Sequence, residues 1–190
     1  IPKVEIKNQI KALVLSGVKE IVLTGVDITS WGLDFKNKER LGDLIEFILV
    51  SIPSLQRLRI SSIDSIEIDP KLMDLICHDS RLMPHLHLSL QSGDNMILKR
   101  MKRRHLREDT IKFCSALKKI RAEITFSADI IAGFPTETAE MFKNTISIID
   151  ECKIDWIHVF PYSSRIGTPA SKMPQIPKEE IEKRAKILRK

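Results

Sequence analysis

The stretch Ile124-Thr-Phe-Ser-Ala-Asp-Ile-Ile-Ala-Gly-Phe-Pro-Thr-Glu137 decides the fold of this chain. Its first nine residues form an apolar run that predicts a buried strand, and Gly133, Phe134 and Pro135 then turn the chain. A helical pattern follows over about residues 138–151. A buried strand that leads through a tight turn into a helix is typical of a β-α unit in a parallel sheet.

The same alternation of strand and helix extends in both directions. Further strands are predicted over residues 20–25, 57–61, 85–90 and 156–160, and further helices over about residues 4–16, 40–51, 70–77, 107–119 and from 178 onward. Five strands with helices between them predict right-handed β-α-β units and a parallel sheet. Five strands are too few for a closed barrel, and the chain begins with a helix rather than a strand. We therefore predict an α/β fold, an open partial β/α barrel whose first strand is missing.

Composition and charge describe a folded globular protein. Of the 190 residues, 43% are hydrophobic and 29% are charged, which excludes a disordered, collagen-like or disulfide-dense chain. No apolar run reaches the roughly 18 residues of a membrane span, and no signal peptide is present, so we expect a cytoplasmic protein. The net charge of +6 permits a polyanionic partner without proving one. Because the first residue is Ile rather than Met, we expect a piece of a longer protein.

Neither the cysteines nor the histidines have the spacing of a metal site. Cys77, Cys114 and Cys152 are far apart, and each lies among apolar residues of a predicted helix. This pattern predicts buried, reduced thiols. His85 and His87 share one face of their strand, but no third ligand lies near them in the sequence. We therefore predict no metal ligands in this chain.

Small and polar residues follow the predicted strands, where parallel α/β folds bind ligands. Thr24-Gly-Val-Asp27 offers a close backbone approach and a carboxylate that suits an amino group. Ser89-Leu-Gln-Ser-Gly93 offers hydroxyl and amide groups that suit a ribose or a carboxylate. Ile131 and Phe134, beside Gly133, suit the flat ring of an adenine. Each of these segments also fits an ordinary turn, and that alternative stays open.

Cationic residues are concentrated after the third strand. Lys99-Arg-Met-Lys-Arg-Arg-His-Leu-Arg107 holds six lysines and arginines in nine residues. Because this run lies on the presumed ligand-binding side, a phosphate backbone is a candidate partner, and a solvated basic face is the alternative. After the last strand, Tyr162 is a candidate for stacking on a base and Arg165 for binding a phosphate or carboxylate. A rigid, proline-rich exit loop is the alternative there.

Six segments resemble, in order, motifs of the radical S-adenosylmethionine methylthiotransferases. They are Leu23-Thr-Gly-Val-Asp27, Arg59-Ile-Ser-Ser-Ile63, His85–Gly93, Leu98-Lys-Arg-Met-Lys-Arg103, Asp129–Glu137 and Phe160–Ala170. Together they cover nearly the whole chain. The first and third segments resemble the branch that acts on threonylcarbamoyladenosine beside the tRNA anticodon. The branches that act on isopentenyladenosine or on a ribosomal protein are the alternatives within the family.

The resemblance implies a partial β/α barrel with its active site at the carboxyl ends of the strands. It implies that a four-iron cluster cleaves S-adenosylmethionine to a 5′-deoxyadenosyl radical, which abstracts hydrogen from a tRNA adenine. It also implies that sulfur, from a donor that the sequence does not identify, and then a methyl group are installed on that adenine. By position, it implies S-adenosylmethionine contacts at Thr24, Gly25, Asp27, Ser61, Ser89, Gln91, Asp129, Ile131, Gly133 and Phe134. The candidate tRNA or substrate contacts are Lys102, Arg103, Arg104, Tyr162 and Arg165.

One motif of the family is missing. The resemblance implies a C-x-x-x-C-x-x-C segment after the first strand, because thiolates must hold the cluster irons, and residues 1–190 contain none. We therefore expect residues 1–190 to be a radical SAM catalytic-domain fragment that lacks the cluster-binding strand and loop. The flanking N-terminal domain and C-terminal RNA-binding domain are expected to be absent as well. Such a fragment is expected to be inactive alone.

Two readings outside the family stay open. A barrel enzyme that needs no iron would require a lysine inside a strand or a glycine-rich phosphate loop late in the chain. A scaffold that only binds nucleic acid would depend on its basic run, and its binding would fall steeply with salt.

Overall fold

The computed structural model describes residues 1–190 and has an α/β architecture. The helices are α1 (Lys3–Leu15), α2 (Leu41–Ser51), α3 (Pro70–His78), α4 (Asn95–Arg100), α5 (Arg107–Ile120), α6 (Ala139–Cys152) and α7 (Lys178–Leu188). The strands are β1 (Glu20–Leu23), β2 (Arg57–Ile60), β3 (His85–Gln91), β4 (Thr125–Ala132) and β5 (Trp156–Pro161). Short 3-10 turns lie at Ile28–Ser30, Ser65–Glu67 and Pro169–Lys172. All five predicted strands and six predicted helices are present.

All the strands are parallel, as predicted, but they form two sheets rather than one. β1 pairs with β2, and β3, β4 and β5 pair in that order. Single bridges from Leu58 to Leu82 and from Ile63 to Leu88 join the two sheets on either side of the point where β2 and β3 separate. The result is an open half-barrel, and this confirms the predicted fold class.

The two faces of the half-barrel differ in chemistry. Leu86, Leu88 and Leu90 of β3 are each 1% exposed, because they lie on the helix-facing side of the strand and pack in the hydrophobic core. The alternate residues of β3 are half-buried and face the concave side. The period of two in this strand therefore separates an apolar helix-facing surface from a polar inner surface.

A capping aspartate defines where α3 begins. Asp69 caps α3 by accepting a hydrogen bond from the backbone N–H of Leu72 at 2.9 Å, and Pro70 follows as the first helical residue. The other carboxylate oxygen of Asp69 accepts from the N–H of Gly42 at 3.0 Å and joins α3 to α2. The predicted start of this helix is confirmed.

One helix was not predicted. The segment before the basic run forms α4, because Asp94 accepts hydrogen bonds from the backbone N–H groups of Met96 and Ile97 at 2.9 and 3.2 Å. The first two cations of the run, Lys99 and Arg100, therefore belong to a helix rather than to a turn.

None of the helices combines the length and the apolar character that crossing a membrane requires.

Candidate functional site

A cavity of about 360 Å³, the rim cavity, opens at the carboxyl ends of β3 and β4. Gln91 lines it from the end of β3, Ile131 from β4 and Phe134 from the turn after β4. Lys102 lines it from the basic segment. The walls therefore combine apolar surface with an amide and a cation, which suits a ligand with a flat ring and polar groups.

Two residues other than glycine that line the rim cavity have left-handed backbones, and so does a third in the turn that carries Phe134. The angle φ is 64° at Gln91, 58° at Lys102 and 68° at Thr136, which lies in the turn after β4. This region costs a residue with a side chain about 1–2 kcal/mol. Because such strain concentrates at ligand-binding sites, its position here supports a binding role for the rim cavity.

Thr24, Gly25 and Asp27 line a different cavity, of about 560 Å³, beside β1. Asp27 accepts a hydrogen bond from the hydroxyl of Ser30 at 2.6 Å, which lowers the pKa of this carboxyl. The carboxylate is therefore ionised at neutral pH, and it suits an amino group. The structure does not bring these three predicted contacts into the rim cavity.

The remaining polar contacts predicted on β2, β3 and β4 lie along the inner face. The hydroxyl oxygen of Ser61 is buried without a partner and adjoins a hollow of about 430 Å³. The hydroxyl of Ser89 lies 2.7 Å from that of Ser62. Asp129 Oδ1 lies 3.0 Å from His87 Nε2. Of these three predicted contacts, only Ser61 has a side chain without an internal partner.

The two histidines of β3 share the inner face, as predicted. A ring nitrogen of His85 lies 3.0 Å from Ser127 Oγ, and one of His87 lies 2.7 Å from the same atom. Burial lowers the pKa of His85, and the charge of Arg59 lowers it further. His85 is therefore neutral at pH 7, and the pair belongs to a polar network inside the half-barrel.

Arg103 turns inward and ties the loop after β2 to β3. Its Nη2 donates to Asp64 Oδ2 at 3.2 Å and to the carbonyl of Ser89 at 3.0 Å. Asp64 Oδ1 also lies 3.3 Å from Nδ1 of the buried His105. Burial acts to raise the pKa of Asp64, but the hydrogen bond to His105 and the charges of His105 and Arg103 outweigh it, so that pKa lies below its ordinary value.

This lowered pKa predicts how the stability of the protein depends on pH. The folded carboxyl of Asp64 binds its proton more weakly than the unfolded one. Its contribution to stability is therefore complete above the ordinary pKa of 3.8 and is lost as the pH falls through the lower folded pKa. At about pH 7 we expect Asp64→Asn to lower the free energy of unfolding by about 2 kcal/mol, and by progressively less as the pH falls below 3.8.

Urea unfolding at a series of pH values measures this difference. Asp74→Asn is the matched control, because the Asp74 side chain is 73% exposed on α3, and we expect no measurable loss from it. A difference between wild type and Asp64→Asn that does not shrink as the pH falls below 3.8 would contradict the assigned role of the ionised carboxylate.

The other predicted cationic contacts differ in how free their side chains are. Arg104 forms an ion pair with Glu67, which follows β2. Lys102 and Arg165 have no ion pair, and both are exposed. Lys102 and Arg165 are therefore the two predicted cations whose charge is available to an external anion.

The residues at the rim fit an adenosine-like ligand. The ring of Tyr162 packs edge-on against Phe134, with 5.4 Å between ring centroids. The hydroxyl of Tyr162, like that of Ser61, is buried without a hydrogen-bond partner. Because buried polar atoms are normally paired, these two hydroxyls are candidates for contacts with a ligand, Tyr162 beside Phe134 and Ser61 at the hollow on the inner face.

The residues present do not fit an iron–sulfur cluster. The three cysteines are buried, Cys77 on α3, Cys114 on α5 and Cys152 on α6. The chain has no group of three or more His, Cys, Asp or Glu side chains placed to hold a metal ion. Because a cluster needs several thiolates around one site, these residues cannot supply its ligands.

Sequence reasoning missed part of the rim cavity. Thr168, Pro169 and Ala170 form one of its walls, and Arg100 and Met101 contribute to another. Thr168 to Ala170 follow β5 by several residues, so nothing in local periodicity indicates that they return to β3 and β4. The only available signal is that they lie within the last of the six motifs.

A comparison with family models identifies the class of protein to which this half-barrel and its rim cavity belong. The model of the radical SAM superfamily matches residues 1–149. The chain belongs to this superfamily.

Curated relatives show which enzymes within the superfamily the chain resembles. Threonylcarbamoyladenosine tRNA methylthiotransferase MtaB of Rickettsia prowazekii (strain Madrid E) is 54% identical over 189 residues, which cover 100% of this chain and 45% of the relative. A tRNA-2-methylthio-N(6)-dimethylallyladenosine synthase of Ehrlichia canis (strain Jake) is 39% identical over 176 residues, 92% of this chain and 40% of the relative. The predicted resemblance to the methylthiotransferases is confirmed. The chain spans less than half the length of these relatives.

Solved structures support the fold. Coproporphyrinogen III oxidase (HemN) from Escherichia coli has a TM-score of 0.68 at 15% identity and covers 96% of this chain and 44% of that one. Streptococcus suis SuiB bound to S-adenosylmethionine has a TM-score of 0.63 at 14% identity and covers 100% of this chain and 40% of that one. At such low identity these likenesses show the fold alone.

Proposed function

We propose that this chain is the catalytic core of a tRNA methylthiotransferase that adds a methylthio group to threonylcarbamoyladenosine beside the anticodon. The observation that carries the proposal is the 54% identity over 100% of the chain with a threonylcarbamoyladenosine tRNA methylthiotransferase. The lower identity of 39% to a dimethylallyladenosine synthase favours the same branch. A tRNA substrate is consistent with a cytoplasmic location.

In this proposal the rim cavity receives the adenosine part of S-adenosylmethionine. Ile131 and Phe134 supply apolar surface for the ring, and Gln91 supplies an amide for the polar groups. Tyr162, whose ring packs against Phe134, and Ser61, beside the separate hollow on the inner face, are proposed as further contacts through hydroxyls that lack internal partners. When bound together with a four-iron cluster, S-adenosylmethionine supplies the radical chemistry.

The ionised Asp27, with Thr24 and Gly25, is proposed to hold the amino group of the cofactor from the second cavity. Ser89, Asp129 and Gly133 are proposed to contact the same cofactor. The side chains of Ser89 and Asp129 also have partners within the chain, Ser62 and His87.

The cluster is proposed to be held by residues outside this chain, because the cysteines within it cannot bind one. Residues 1–190 are then the central catalytic domain of a longer enzyme, in line with their 45% coverage of the Rickettsia relative. We expect residues 1–190 alone to be inactive. Catalytic sulfur insertion by this piece alone would contradict that expectation.

The proposal is tested by expressing the gene that contains this chain in a bacterium that lacks tRNA methylthiolation. Nucleosides from digested tRNA are then analysed by mass spectrometry. We expect the methylthio derivative of threonylcarbamoyladenosine to appear. Methylthiolation of isopentenyladenosine alone would assign the enzyme to the other branch, and no modified nucleoside from a cluster-loaded enzyme would oppose the proposal.

Lys102 is proposed to contact the tRNA backbone, because it is an unpaired cation of the basic segment and lines the rim cavity. We expect Lys102→Gln to weaken tRNA binding about equally for all sequences. Because one phosphate contact is lost, we expect the slope of log K against log salt to fall by about 1. Filter binding at several salt concentrations measures both effects.

Lys119→Gln is the matched control for Lys102→Gln, because it removes the same charge. Lys119 is exposed at the end of α5, and the helix runs back to the face opposite the rim. We expect this control to leave the salt slope unchanged. Equal effects of the two substitutions would show that only net charge matters, and would oppose a specific contact at Lys102.

A further inference from the structure

A buried ion pair joins the last helix to the turn after β4. Arg184 on α7 donates from Nη1 to Glu137 Oε2 at 2.8 Å and to the Glu137 carbonyl at 2.8 Å. The side chains are 7% and 0% exposed. Arg184 Nε also donates to Glu180 at 3.0 Å, and its guanidinium lies 5.3 Å from the centre of the Phe142 ring. Arg184 is therefore held on several sides.

Glu137 connects Arg184 to the turn that carries Phe134. Its Oε2, the same atom that accepts from Arg184, also accepts from the backbone N–H of Gly133 at 3.1 Å. The N–H of Thr136 donates to the carbonyl of Pro174 at 3.2 Å, so a second bond fixes the turn from the same side. The backbone between Gly133 and Glu137 is thus held by α7 and by the segment that leads into it.

The charge on Glu137 depends on Arg184. Burial raises the pKa of Glu137 above its ordinary value, and the hydrogen bond from Arg184 offsets only part of that effect. Without the guanidinium, the carboxyl would be neutral over a wider pH range. Because a neutral acid is a weaker acceptor than a carboxylate, the bond from Gly133 N–H would weaken too.

These contacts belong to α7, which packs on β4 and β5, and to the segment before it. The superfamily match ends at residue 149, whereas Arg184 and Pro174 lie beyond it. The restraint therefore comes from a segment outside the part of the chain that the superfamily model describes. Its target is the turn that forms one wall of the rim cavity.

We propose that Arg184 is a positioning residue for the cofactor, because through Glu137 it fixes the turn that places Phe134 against the adenine ring. This inference rests on the proposed binding of S-adenosylmethionine in the rim cavity. It predicts that Arg184 sets the affinity for the adenosine part of the cofactor without touching it.

The test is Arg184→Met in the full-length gene product, which removes the charge and keeps a long apolar side chain. Calorimetry measures the Kd of S-adenosylmethionine, and of 5′-methylthioadenosine as a probe that lacks the amino acid part. We expect both Kd values to rise about tenfold. In the cluster-loaded enzyme we expect KM for S-adenosylmethionine to rise similarly, with kcat at saturation within about twofold of wild type.

A merely structural role would give a different result. Partial unfolding lowers the number of binding sites and kcat, but it leaves Kd and KM of the folded molecules unchanged. Arg184→Lys keeps the charge and is expected to recover part of the affinity. If Arg184→Met does not fold, Arg184→Lys decides alone, because its single ammonium cannot reproduce the two bonds to Glu137 and should still weaken binding a few-fold.

Lys186→Met is the matched control, because it removes a charge from the exposed side of the same helix. We expect it to bind both probes like wild type. If wild type itself binds neither probe, the proposed cofactor site fails. If wild type binds both and the Arg184 variants bind equally well, only the positioning role is overturned.

Discussion

Gly93→Ala is expected to lower the free energy of unfolding by about 3 kcal/mol. A Cβ at this position would lie 2.7 Å from Thr145 Cα and 2.7 Å from Ile148 Cγ2, and closer still to the carbonyl oxygen of Asn144. Two of these three atoms belong to the backbone of α6, so no side-chain rotation can relieve the contact. We therefore expect a cost at the upper end of those measured for overpacked cores.

Urea unfolding measures this loss, and Gly25→Ala is the matched control. A Cβ on Gly25 would meet only atoms of Ile28, at 3.7 Å or more, which is an ordinary contact. We expect the control to change stability by less than about 1 kcal/mol. A Gly93→Ala variant as stable as the control would mean that α6 moves away from the turn easily.

The packing around Gly93 explains why its motif is only partly a ligand-binding motif. The Gly93 N–H donates to Thr145 Oγ1 at 3.1 Å, and the hydroxyl of Ser92 lies 3.2 Å from the same atom. Arg107 donates to the carbonyls of Gly93 and Asn144 at 2.8 and 2.6 Å. In Ser89–Gly93, therefore, Gln91 faces the rim cavity, whereas the last two residues attach the rim to α6.

The fold could be predicted from the sequence because its signals are local. The alternation in His85–Gln91 and the apolar run that ends at Ala132 each predict a strand from neighbouring residues alone. Asp69 and Pro70 likewise predict the start of α3. Once five such strands alternate with helices, parallel pairing follows from the lengths of the connections.

The site could be predicted only in part, because its restraints join residues that are distant in the sequence. Arg184 and Glu137 are 47 positions apart, and Arg103 and Asp64 are 39 apart. A count of cations cannot show which of them have internal partners. It treats Lys102 and Arg103 as equivalent, although the structure pairs only Arg103 with a carboxylate.

The division of the predicted cofactor contacts between two cavities has the same cause. Motif order places Thr24 and Gln91 at strand ends, and both lie there. The distance between those ends depends on how the sheet curves. In this protein the strands divide into two sheets between β2 and β3. Sheet curvature is set by packing over the whole half-barrel, so no single segment of sequence encodes it.

Gly133→Ala is expected to weaken S-adenosylmethionine binding about a hundredfold, because it displaces the turn that carries Phe134. The backbone at Gly133 is left-handed, with φ of 74°, and an added Cβ would lie 2.7 Å from Ile181 Cγ1. Left-handed strain and overpacking together are expected to cost about 2–3 kcal/mol of folding stability. Calorimetric Kd and urea unfolding measure the two effects separately.

A double-mutant cycle with Ile181→Ala separates the packing conflict from the backbone strain. Ile181 is buried on α7, and its Cβ and Cγ2 would also lie 3.1 Å from the new methyl group. Truncation at Ile181 removes the Cγ atoms, so we expect Gly133→Ala to cost at least about 1 kcal/mol less stability in that background. The strain at φ of 74° stays, so affinity should recover only in part. Equal costs in both backgrounds would show that α7 does not press on the turn, and would leave backbone strain as the whole reason for glycine at this position.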